Sequence, residues 1–81
     1  MIVIHLRRAI DAYEARTGER VTHEDLAART GLSRATLDSL ASRRDYNASL
    51  RAIARICRAL RCTPGELLEL VPDDDEIRET E

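Results

Sequence analysis

THEDLAARTGLSRATLDSLAS, residues 22–42, holds the start and stop signals of two short helices back to back. Thr22 followed by Asp25 is a near capping box with Asp in place of Glu or Gln. The hydroxyl accepts from a first-turn N–H, and the carboxylate reaches back to the cap. Leu26 and Ala27 follow, and Gly31, free to take the left-handed conformation, turns the chain after about eight residues. Ser33 is a second N-cap, opening a helix with Leu37 and Leu40 on one side. The spacing Ala27-x-x-x-Gly31-x-Ser33-x-x-x-Leu37-x-x-Leu40 has the form of a helix-turn-helix. A small residue lets the helices approach, glycine turns the chain, and Leu26, Leu37 and Leu40 anchor the pair to its neighbours. Burying those leucines fixes what points outward: Arg34, Ala35, Asp38 and Ser39, flanked by Ser42, Arg43 and Arg44. Such a face, with nothing large and apolar on it, is one that base edges in a major groove can meet.

Upstream, Ile2-Val3-Ile4 is β-branched and too short to form a helical face, so it reads as a short strand or extended arm, and the sequence leaves open whether it pairs with residues 69–71 of its own chain or of a partner. Leu6, Ala9, Ile10 and Tyr13 recur at helical spacing between His5 and Arg16, and Gly18 sits where a left-handed C-cap ends that helix. Downstream, a polar loop over 43–48 leads to a helix capped by Asn47 or Ser49. There Leu50, Ile53, Ala54, Cys57 and Leu60 read as the apolar stripe, with Arg51, Arg55 and Arg58 as a basic one. Thr63-Pro64-Gly65-Glu66 is a second capping box with proline at the first helical position, opening a fifth helix through Leu67, Leu68 and Leu70, and Pro72 ends that helix or a short extended piece after it. The expectation is an all-α, compact five-helix domain over residues 1–72, with the motif at 22–42 and a short N-terminal strand. An acidic tail over 73–81 is expected to be disordered.

A chain of 81 residues builds one core, too small to leave room for a walled substrate pocket, so function is expected on its surface. No paired carboxylates, nucleophile with a base, metal-ligand spacing or phosphate loop stands out. The reading is therefore a non-enzyme without a cofactor. No stretch approaches the roughly 20 apolar residues of a membrane span, and no signal-peptide core follows Met1, which leads us to expect a cytoplasmic protein. The net charge of −2 hides a division: DDDEIRETE at 73–81 carries −5, whereas 29–61 sets eight arginines against Asp38 and Asp45. That middle is an electrostatic footprint for polyanions. Every basic residue is Arg, which suits fork-like recognition of phosphate and guanine and equally follows from a GC-rich coding sequence.

The run THEDLAARTGLSRATLDSLASRR at 22–44, the capped helix at 49–61 and the ending CTPGELLELVPDD from Cys62 resemble the phage-repressor/Cro (Xre) family of helix-turn-helix regulators over nearly all of residues 5–72. The resemblance implies a lambda-repressor-like fold and a homodimer on pseudo-palindromic double-stranded DNA, acting as a transcriptional regulator, most simply a repressor. Carried over by position, it places base readout on Arg34, Ala35, Asp38 and Ser39. It places phosphate contacts on His23, Thr36, Arg43, Arg44, Tyr46, Asn47, Ser49 and Arg51. The chain departs from the family pattern at three points. His23 stands where glutamine often begins the second helix, Ala41-Ser42-Arg43 replaces an acidic-Asn-Gly ending, and Asp38 brings a negative charge near the groove. A dimer face is drawn from the remaining hydrophobes Ile2, Ile4, Leu68, Leu70 and Val71.

Each assignment has a plainer counterpart. Arg34 either forks onto guanine O6 and N7 or pairs with Asp38 four residues on; Asp38 either accepts from a cytosine amino group or supports Arg34. Ala35 meets nothing more than a thymine methyl. His23 and Tyr46 serve phosphate or merely start a helix and anchor a loop. Arg55 and Arg58 read as a solvated face, and Cys57 as a buried thiol with no metal or disulfide partner in Cys62. The rival function is a protein-interaction module of antitoxin or anti-repressor type, binding a partner through the termini and acidic tail.

Overall fold

Local capping sets the helix ends. In the computed structural model, which describes residues 1–43 and 46–72, the order is β1 Ile2–Ile4, α1 Leu6–Thr17, α2 His23–Thr30, α3 Arg34–Ser42, α4 Leu50–Leu60, α5 Pro64–Leu67 and β2 Leu68–Leu70. Thr22 and Asp25 form the expected reciprocal box at the start of α2, as do Thr63 and Glu66 at α5, while Ser33 caps α3 and Ser49, rather than Asn47, caps α4. Gly18 and Gly31 close α1 and α2 with φ of 75° and 78°, where a side chain would be strained. Arg61 takes the same left-handed role after α4 at φ 52°. Arg16 of α1 donates to the Leu60 and Arg61 carbonyls at 2.8 and 3.3 Å, covering acceptors that the end of α4 leaves free.

The caps place the helices, and packing holds them. Leu6, Ile10, Leu26, Leu37, Leu40, Ile56, Leu60 and Leu67 are fully buried, each worth about 1.5–3 kcal/mol against about 1 for a cap. The motif leucines meet the core as their spacing required. Thr30 is the one buried polar residue among those described. Its hydroxyl donates to the Leu26 carbonyl at 2.7 Å and accepts from Leu32 N–H at 3.1 Å, which ties the last turn of α2 to the turn that follows.

Two expectations need correction. In α4 the buried stripe is Ala52, Ile53, Ile56, Cys57 and Leu60, whereas Leu50 and Ala54 are exposed. Leu50 begins the helix about 90° round from the centre of that stripe, so its apolarity misleads. The fifth helix stops at Leu67, and Leu68–Leu70 extend to pair antiparallel with β1, with Ile2 opposite Leu70, Val3 opposite Glu69 and Ile4 opposite Leu68. The N-terminal arm thus finds its partner in its own chain. His5 N–H donates to the Leu67 carbonyl at 2.7 Å, Val71 N–H to the Met1 carbonyl at 2.8 Å, and His5 Nε2 lies 2.6 Å from Glu69 Oε1. Ile4 turns inward to the core, while Ile2 and Leu70 stay outside at 50 % and 68 % exposure. Among the described residues, no helix is long and apolar enough to cross a membrane. The acidic run 73–81 and Arg44 lie outside the described residues.

Candidate nucleic-acid interface

The first turn of α3 is shaped by Ser33. Its Oγ accepts from Thr36 N–H at 3.0 Å and meets Thr36 Oγ at 2.8 Å, so both hydroxyls are engaged locally. With Leu37 and Leu40 buried, Arg34, Ala35 and Asp38 are left exposed and Ser39 half-buried on the opposite side. The four residues proposed for readout therefore share one accessible face. Asp38 is not free on that face: its Oδ1 lies 2.6 Å from His23 Nδ1 and 3.8 Å from Arg34 Nε. The His23 ring, at the first position of α2, is only 15 % exposed, and its Nε2 is buried without a hydrogen-bond partner.

Beyond the C-terminus of α3, the Arg43 guanidinium lies over the Tyr46 ring, 5.5 Å from its centre, while Tyr46 packs half-buried against the core. Tyr46 anchors the loop with its ring, and Arg43 rides on it at the surface. Asn47, Ser49 and Arg51 are exposed around the N-terminus of α4, although the Ser49 hydroxyl is taken by Ala52 N–H at 3.0 Å. Arg55 and Arg58 are exposed further along α4.

Two cations went unnoticed in the sequence. Arg7 of α1 and Arg20 before α2 line a cleft of about 480 Å³ with Arg34 and His23, shared with Asp11 and Glu14. Glu14 is occupied in accepting Val21 N–H at 2.8 Å. Nothing local marks Arg7 or Arg20; they meet because α1 packs against α3 and Glu14 ties the connection before α2 back to α1. A helix N-terminus with free N–H groups and nearby guanidiniums favours anions.

The carboxylates of the two capping boxes have their pKa values lowered. Thr22 N–H, and then its hydroxyl, stabilise ionised Asp25, and Thr63 N–H does the same for Glu66. Both thiols are free; Cys57 is buried, and burial, with Cys57 beside it, pushes the Cys62 thiol up to about 11.

Two capped helices across a left-handed glycine, anchored by leucines on one side and presenting hydrogen-bonding groups flanked by arginines on the other, define a helix-turn-helix DNA-binding module. Residues 19–73 match the Cro/C1-type HTH DNA-binding domain, and the chain belongs to that family. It is accordingly a DNA-binding protein of the transcription-regulator class. No curated protein sequence matches the chain.

Proposed function

We propose that the protein represses transcription by occupying operator DNA as a homodimer, with α3 in the major groove of each half-site. The observation that carries this reading is the exposed face Arg34, Ala35, Asp38 and Ser39, which the core does not use, on a helix whose flanks present Arg7, Arg20, Arg43 and Arg51. Arg34 forks onto guanine, Ala35 meets a thymine methyl and Ser39 lies beside the groove wall. Arg43, Arg44, Asn47 and Arg51, with Thr36, Tyr46, Ser49 and the ends of α2 and α4, make the phosphate contacts. Ile2, Leu68, Leu70 and Val71, at the surface of the terminal sheet, form the dimer contact over the inward-facing Ile4.

Selection of bound sequences from a randomised duplex pool at near-physiological salt tests this. The expected result is a two-fold symmetric site with half-sites about 34–36 Å apart and an affinity that falls steeply with salt. Arg34→Ala is expected to change the preferred base at one position per half-site, whereas Arg43→Ala lowers affinity for every sequence. Absence of any enriched sequence overturns the proposal.

One observation favours a second reading, a module that binds a protein partner. The three exposed large hydrophobics among the described residues, Ile2, Leu50 and Leu70, lie on the sheet and the start of α4, where Ile2, Ile4, Leu50 and Leu68 line an apolar groove of about 390 Å³. Light scattering on the purified chain separates the two: a dimer favours self-association, and a persistent monomer favours a different protein on this surface.

A further inference from the structure

We infer that His23 is a positioning residue for guanine readout, acting through Asp38 on Arg34; this rests on the DNA-reading role proposed for α3. A carboxylate can only accept, so the 2.6 Å contact makes His23 Nδ1 the donor. The neutral ring is then the Nδ1–H tautomer, which leaves only a lone pair, not an N–H, on the buried and partnerless Nε2. With Nδ1 committed to Asp38 and Nε2 buried, neither ring nitrogen is free to donate to a phosphate.

Asp38, with a side chain 54 % exposed, would otherwise rotate among its rotamers, but the largely buried imidazole holds its Oδ1 in place. That same oxygen faces Arg34 Nε at 3.8 Å. With Nε the guanidinium atom nearest Asp38, the terminal nitrogens remain to fork onto O6 and N7 of guanine. The chain His23, Asp38, Arg34 thus runs from the start of α2 to the first residue of α3 and limits the directions an exposed arginine can take. Asp38 serves as the intermediate support, not as a reader of a cytosine amino group.

The test compares wild type, His23→Ala, Asp38→Ala and the double variant on the duplex that wild type selects and on the same duplex with the Arg34-dependent guanine replaced. His23→Ala is expected to lower the ratio of the two affinities about fivefold, and the double variant to discriminate no worse than Asp38→Ala alone. An equal loss on both duplexes, or an undiminished effect of His23→Ala in the Asp38→Ala background, overturns the inference. So does a selected site that Arg34→Ala leaves unchanged, although DNA reading would then stand; a wild type that selects nothing overturns both. Imidazole ¹⁵N shifts of the free protein, assigned with His5→Gln, supply a readout that needs no DNA. The expected signature at His23 is a protonated Nδ1 and a bare Nε2, and the opposite tautomer overturns the inference.

Discussion

The helix-turn-helix and the terminal sheet use similar contacts at very different separations along the chain. In the first, Thr22 bonds Asp25 and Ser33 bonds Thr36, three residues apart. In the second, Met1 bonds Val71 across 70 residues, and His5 meets Glu69 across 64. Local bonds can form as soon as each helix does, whereas the sheet must wait until the helices have brought residues 2 and 70 together. The first region is therefore a locally tied frame for the α3 face, and the second a closure added on top of it.

That contrast can be broken most severely at the core. Leu37→Ala is expected to cost about 2–5 kcal/mol, a large part of the ~5–10 kcal/mol available to a small domain, whereas Leu70→Ala on the sheet surface should stay within about 0.5. Urea unfolding followed by circular dichroism measures both, and equal losses would make the sheet part of the main core. A smaller effect is expected at the turn: Gly31→Ala should cost about 1 kcal/mol through its positive φ, since an added Cβ meets only Arg55 Nη1 at an ordinary 3.6 Å. A milder loss for Gly31→Asn, measured the same way, would confirm that backbone strain is the cause.

The smallest effect compares the two capping boxes, one in each region. Asp25 and Glu66 have lowered pKa values in the folded chain, so they contribute stability above their ordinary values of 3.8 and 4.5, and it is lost as pH falls through the folded ones. Thermal melting between pH 5 and pH 2.5 should show the loss, and Asp25→Asn and Glu66→Gln should each flatten part of it. If only Asp25→Asn does so, the α5 box next to the sheet is not formed in solution.

What was legible follows from the same difference in range. Thr22, Gly31 and Ser33 announce themselves through local chemistry, so the two helices and their turn were read within a residue of their observed bounds. Leu50 misled because apolarity at a helix start does not reveal the phase of the buried stripe, which Ile56 sets. Pairing of Ile2–Ile4 with the residues around 70 is one of the options the sequence leaves open, but nothing local decides between the same chain and a partner, and a leucine-rich run after a capping box also reads as helix until a distant strand claims its backbone. At the site, Arg34 and Asp38 were visible as neighbours on one helix. The link to His23 was not, since it depends on how α2 and α3 cross.

The sheet also governs how the molecule bears mechanical load. Residue 2 pairs with residue 70 at the same end of an antiparallel ribbon, so a pull between residues 1 and 72 bears on one pair of hydrogen bonds at a time. The strands should unzip in sequence at low force, while the helices, loaded only once the ribbon has parted, keep their packing. The ribbon is a mechanical fuse that opens before the α2–α3 pair is disturbed.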